Sequence, residues 1–384
     1  MKKLIKKILF GTIISFCIFS CHQEGIDKNS YKIKVEGKTS KELSDFFSEI
    51  EIIPLETSEK CVLNRCTHLS IINGKYYVQD ERQHIVAVFS LDGEFIYSTK
   101  ELKGRGPNKY LNCQRYTVNR QNGNIQVLDL IRHKIIEYDL QGNLVIQYEI
   151  PETFLPAEEF VYLSYGIYAF YFQSKKPFKY NRYVIFYSVK EGKIIKKISA
   201  PQTYYLAVKT NHDCFQRFNN TIGFSYSYPS CNDIYYLNTK SLDLECSYSL
   251  DFGKYNFNEE SLKNVDKELH TKFIRDNSDH TAFVYDRMES EDYIIIEYSL
   301  KNKFYVLFFN KKNHRVRIKE NGTKHSKEVL TFLSHIDRDY IYSMCSPNFV
   351  DQLITNDLLS SESRKRLREM KLTDNSVIIR YKLK

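Results

Sequence analysis

The sequence predicts an all-β protein built as a ring of six four-stranded antiparallel blades, and three observations carry that reading. Tyr and Phe are abundant, 30 and 25 in 384 residues, with no Trp and only 8 Pro, a bias that suits half-buried pleated surfaces. Alternating runs are punctuated by Asn-Gly, Asp-Gly or Gln-Gly, which mark hairpins. Finally, "YVQDERQHIVAVFSLDGEFIYSTK" (77–100) aligns with "QVLDLIRHKIIEYDLQGNLVIQYEI" (126–150). Asp80, His84, Phe89 and Gly93 then fall on Asp129, His133, Tyr138 and Gly142, each 49 residues on. A four-stranded unit recurring at that period is the sequence mark of a β-propeller.

Taken in order, blade one reads as strands 67–72, 75–80, 85–90 and 94–100, and blade two occupies the matching run to 150. Further units span about 158–199, 212–251 and 281–320. The Tyr-rich run "FVYLSYGIYAFYF" (160–172) reads as inter-blade packing. Between units four and five, 256–276 breaks the β pattern. Asn258 can cap, Glu259 and Glu260 suit a first turn, and Leu262, Val265, Leu269 and Phe273 form one stripe. An inserted helix is expected there, near 257–275, and a shorter helical stretch near 349–371. The sixth unit supplies 339–344 and 376–382 but is one outer strand short. The segment "EIEIIPLE" (49–56) can complete it, which closes the ring and removes a sheet edge. Residues 31–384 are thus expected to form a single domain.

Ahead of it, "MKKLIKKILFGTIISFCIFSC" has a lysine-rich start, an apolar stretch from Ile8 to Phe19 and a Ser20-Cys21 junction. The apolar part is too short for a stable span but fits a secretory signal. It resembles a bacterial lipoprotein signal with Ile18-Phe19-Ser20-Cys21 as its lipobox. The resemblance implies a signal peptide over 1–20, lipidation at Cys21 and a tether over 21–30. Acyl chains there would hold the chain to a membrane. Surface-exported lipoproteins of the Bacteroidetes type often carry an acidic cluster after the lipidated Cys. No such cluster is present here, where Glu24 has only Asp27 further along the tether, which favours attachment to the outer membrane on its periplasmic side.

Charge and cysteine count exclude several classes. Four of the 56 Lys and Arg residues sit in the leader, so the remainder barely exceeds the 47 acidic residues. No dense basic stripe follows a phosphate backbone, and nucleic acid is not an expected partner. Nine cysteines occur, with no CxxC and no His at zinc spacing, so neither a disulfide framework nor a metal knuckle is expected. Cys61 and Cys66 could pair in an oxidising compartment; the others read as buried thiols.

Four stretches together are similar to a known family: "IIPLETSEKCVL" (52–63), "KGRGPNKYL" (103–111), "NIQVLDLIRHKIIEYDLQGNLV" (124–145) and "DNSVIIRYKLK" (374–384). They resemble the six-bladed β-propeller lipoproteins of Bacteroidetes, whose blades are related to NHL repeats. The resemblance implies architecture and envelope location, not chemistry. Where the family carries a Gly-Pro-Gly-Glu-type run, this chain has Gly106-Pro107-Asn108-Lys109, exchanging an acid for a base.

The loop around that run is not a phosphate cradle. A P-loop needs Gly-x-x-x-x-Gly-Lys-Ser/Thr between strand and helix, whereas Gly104-Arg105-Gly106-Pro107 leads into another strand. It reads as the link from blade one to blade two. Propeller topology nevertheless gathers Lys103, Arg105 and Lys109 with Arg82, His84, Arg132 and His133 at one mouth of the channel. The two histidines occupy equivalent turn positions and read as turn residues. Arg82, Arg105, Lys109 and Arg132 are the candidate ligand-binding residues, because guanidinium forks recognise carboxylate or sulfate.

No linear catalytic motif is present, and adjacent acids such as Glu158/Glu159 point to opposite faces of a strand. No catalytic residue, cofactor or metal is therefore expected. The sequence predicts a monomeric, non-catalytic binding or interaction module of the envelope, with an acidic glycan or an envelope protein as partner. The alternative is a glycan hydrolase or lyase whose acid and base come from different blades.

Overall fold

The computed structural model describes residues 30–176, 179–200, 213–226, 231–258, 265, 269–321, 330 and 333–384. The leader and Cys21 lie outside them. The described strands form six antiparallel blades, and each blade's first strand faces the central channel. Blade one comprises Cys66–Ile72, Lys75–Asp80, Ile85–Ser90 and Phe95–Ser98. Blade two comprises Arg115–Val118, Ile125–Asp129, Lys134–Tyr138 and Leu144–Glu149. Blades three, four and five begin with Ala157–Ser164, Phe215–Phe218 and Phe283–Glu289.

Blade six is composite. Its strands run Leu333–Asp337, Tyr340–Cys345, Val377–Leu383 and Phe47–Pro54. The last two are antiparallel, with Val377 opposite Pro54 and Ile379 opposite Ile52. The expected closure is therefore present. The chain's start does more than close the ring. Tyr31–Lys34 adds a parallel strand to the outer edge of blade four, and Thr39–Ser40 does the same at blade five. Residues 31–54 thus strap three consecutive blades from outside. This cover satisfies outer-strand backbone groups that an open edge would leave unpaired.

The core lies between blades, because strand alternation sends neighbouring side chains to opposite neighbours. Tyr76 and Val78 pack with Tyr342 and Met344 of blade six, while Tyr77 joins Tyr116 and Tyr138 of blade two. In the Tyr-rich run, Phe160, Tyr168, Phe170 and Phe172 face blade two, and Ala169 and Tyr171 face blade four. Both faces being buried explains why these strands read as nearly continuous apolar runs.

The described residues hold a helix within each of the two expected stretches. Between blades four and five the described helix is His270–Asp276. Residues 259–264 and 266–268 of the expected span lie outside the described residues. Val265 and Phe273 pack on Phe283 as the stripe requires, whereas Leu269 is exposed. Near 349–371 the chain makes turns at Pro347–Phe349 and Asp351–Thr355, then a helix at Ser361–Glu369. Ser360 caps it by accepting from the Ser363 N–H. The helix lies on the free edge of Phe47–Pro54: the Ser363 hydroxyl accepts from the Ile52 N–H at 3.0 Å, and Arg366 donates to the Ile52 carbonyl at 3.2 Å.

Cys61 and Cys66 are free thiols rather than a disulfide. Burial pushes both up to about 12, so neither presents a thiolate at neutral pH. Among the described residues no helix is long and apolar enough to cross a membrane.

Candidate ligand site in the central channel

The six first strands enclose a cavity of about 220 Å³ on the ring axis. Every blade contributes to it: His68, Arg115, Glu159, Asp213 and His335 come from blades one, two, three, four and six, and Met288 and Glu289 from blade five, where Glu289 is paired with Arg287 and Lys311. Alternate residues of a strand share one face, so Arg115 and Thr117 point inward together.

Three groups interlock on one wall. The His68 Nδ1 lies 2.8 Å from Asp213 Oδ1, and the ring stands edge-on to Tyr116 at 4.9 Å. Glu159 Oε2 accepts from the Cys214 and Phe215 N–H groups at 2.7 and 3.3 Å. Burial, then the Asp213 charge, push Glu159 up to about 7 against the pull of Arg115. His335 moves the other way, down to about 4, through burial and the nearby Arg120 charge.

Three arginines line the same cavity. Arg120 Nη2 donates to the Arg217 carbonyl at 2.7 Å, and Arg217 Nη2 donates to the Tyr162 carbonyl. These bonds aim the two forks without neutralising them. Burial and the Arg120 charge push Arg217 down to about 10. Arg115 has its Nε buried and unbonded. Among the described residues, none of the three guanidinium groups comes within 4.0 Å of a carboxylate. The three cations share the recess with the Glu159 and Asp213 carboxylates, whose charges act on Arg115 from beyond contact distance, and guanidinium forks left without a contact partner can take up an anion.

The residues singled out from the sequence sit elsewhere. Arg82, Arg105, Lys109 and Arg132 are not among those lining the cavity. Arg132 donates to the Gly106 and Gly104 carbonyls at 3.0 and 3.4 Å, Lys109 to the Glu101 carbonyl at 2.9 Å, and Lys103 to the Gln83 carbonyl at 2.8 Å. These cations bind the inter-blade loop to the blades beneath it. Arg82 and Arg105 extend into solvent. His84 and His133 hold left-handed turns, with φ of +57° and +54°. Asp80 and Asp129 build those turns, accepting from the N–H groups two and three residues on.

In two blades the channel residues had a sequence signal of another kind: polar side chains at alternating positions of the first strand, His68 and Ser70, Arg115 and Thr117. It is visible only once first strands are aligned with one another. Among the described residues no group of three His, Cys, Asp or Glu side chains could hold a metal ion.

Comparison with known proteins agrees with this architecture. The chain is similar to an exported protein of Bacteroides fragilis, at 16% identity over 92% of this chain and 99% of that one, with a TM-score of 0.69. It is also similar to a member of the DUF4221 family from Bacteroides vulgatus, at 12% identity over 88% and 98% of the two chains, with a TM-score of 0.52. At such identities the likeness is one of fold. No curated protein matches the sequence. The family described as "Domain of unknown function (DUF4934)" matches residues 30–382, nearly the whole propeller, and this chain belongs to it.

Proposed function

We propose that this protein is a lipid-anchored propeller of the bacterial envelope that captures an acidic saccharide in its central channel. The observation that carries the reading is the set of three channel arginines, Arg115, Arg120 and Arg217, none within 4.0 Å of a carboxylate among the described residues. Tyr116, Phe160, Tyr162 and Phe215 line the same cavity. Guanidinium forks in a recess suit a sugar ring that bears a carboxylate. Anchoring rests on the Ser20-Cys21 junction after an apolar run, and the likeness to an exported Bacteroides protein supports an envelope location. The blade pattern supports kinship with NHL-like lipoproteins.

The test is calorimetry with oligogalacturonate and with a neutral galactan of equal length, using parent protein and an Arg120→Ala/Arg217→Ala variant. The acidic chain should bind, the neutral one should not, and added salt should weaken the complex. Losing a charge-assisted contact costs about 1.5–3 kcal/mol, so affinity should fall at least tenfold in the variant. Preference for the neutral glycan, or a variant that binds as the parent does, overturns the reading.

A further inference from the structure

We propose that the channel also cleaves its acidic glycan by β-elimination, with His68 as the base and Glu159 as the proton donor. This rests on the capture reading above and extends it from binding to chemistry.

The base is defined by its partner. Asp213 Oδ1 lies 2.8 Å from His68 Nδ1; a carboxylate so close favours the ring proton on Nδ1, which leaves the lone pair on Nε2. His68 lines the cavity, and its Nε2 has no hydrogen-bond partner among the described residues. An imidazole oriented by a carboxylate, with its basic nitrogen at a recess, is the arrangement a general base requires.

Proton removal beside a carboxylate puts charge onto the carboxylate oxygens, and cations must meet it there. Arg115 lies on the neighbouring first strand with its Nε unbonded. Its charge also senses Glu159 and Asp213, so base, cation and acid share one region. Glu159 is held by two backbone N–H groups on Oε2. Burial and the Asp213 charge favour its protonated form near neutrality, the state a proton donor must occupy.

Hydrolysis is the poorer fit. It needs two carboxyl groups flanking the glycosidic bond, and Asp213 is committed to His68. Elimination needs one base, one donor and a cationic cradle. The bond from hydrogen to the carbon beside the carboxylate breaks, and the proton passes to His68 Nε2. The released pair forms a carbon–carbon double bond as the neighbouring carbon–oxygen bond breaks. The departing oxygen takes the Glu159 proton, and His68 returns a proton to Glu159 through solvent. No water is consumed and nothing is oxidised.

The full chain is incubated with oligogalacturonate or oligoalginate, followed by ultraviolet absorbance of the conjugated acid and by mass spectrometry. Expected are products whose masses sum to the substrate without added water. Turnover should fall by about 10²–10⁴-fold in His68→Gln, with calorimetric affinity nearly kept. Asp213→Asn should lower turnover and displace the acidic limb of its pH profile, where the base must lose its proton. Oligosaccharide bound but left intact, products carrying added water, or a His68→Gln variant as active as the parent overturns the elimination while leaving capture standing. Absence of binding removes both.

Discussion

Asp286 stands directly opposite Glu297 across the first two strands of blade five. Side chains of such a pair share one face, so two carboxyl groups are confined together. Burial pushes Glu297 up to about 7; burial and then the Glu297 charge push Asp286 well above the carboxylate range. A carboxyl whose pKa is raised by folding holds more protons in the native than in the unfolded state. Stability must then fall as pH rises from about 4.5 through about 7. His335, lowered to about 4, acts in the opposite sense, costing stability as pH drops below 6.5. Glu297→Gln should flatten the fall and raise stability at pH 8 by roughly 1–3 kcal/mol. Urea melts at pH 5 and pH 8 measure it. An unchanged difference between the two means the pair does not govern the slope.

Ring closure by Phe47–Pro54 should be indispensable. Ile52 is fully buried between blades five and six, so Ile52→Ala should cost about 2–5 kcal/mol. Deleting 31–56 should abolish the single cooperative transition. A truncated chain that melts as the parent does contradicts the closure's energetic role.

Gly93 ties blade one to that closing strand. A Cβ there would lie 2.1 Å from the Pro54 carbonyl oxygen, and φ is +91°. Gly74, at φ +69°, has open space around it. Gly93→Ala should therefore cost clearly more than the ~1 kcal/mol expected of Gly74→Ala. Comparable melting midpoints would refute this contact.

The rim and the channel make opposite predictions. Asp129 is fully buried and accepts from the Leu111, Ile131 and Arg132 N–H groups. Asp129→Ala should cost about 2–4 kcal/mol, because buried donors lose their acceptor. Arg82→Ala with Arg105→Ala should change stability by under about 0.5 kcal/mol and leave oligogalacturonate affinity intact. Loss of binding in that double variant moves the ligand site from the channel to the rim.

Lipidation is tested by Cys21→Ser, which should lose acyl mass and shift the protein from membrane to soluble fractions. Full retention with membranes argues against an anchor at that residue.

The legibility of this fold follows from what repeats. Asp80 and Asp129 mark hairpins that recur because each blade solves the same turn problem, so strand order and blade count were visible in one sequence. The outer strand missing from the sixth unit was visible as a deficit. The strap was not: Tyr31–Lys34 and Thr39–Ser40 are two short parallel additions, and a strand of two to four residues carries no usable period. The channel site was hidden by the architecture itself. His68 and Asp213 come from blades one and four, and Glu159 from blade three, so no linear spacing joins them. Cationic clustering drew attention to Arg105 and Lys109, where the side chains hold a loop or meet water, and away from isolated arginines that converge only in space.

The composite sixth blade also dictates an order of events during biosynthesis. Phe47–Pro54 leaves the ribosome ahead of every complete blade, and its partner Val377–Leu383 lies at the far end of the chain. The strap that precedes it likewise waits for blades four and five. No cotranslational intermediate can own a finished ring, and the contact of greatest sequence separation forms last, at the cost of slow folding. A chain assembled in this way stays threadable until its final strand is available, a property suited to crossing a membrane before it takes shape.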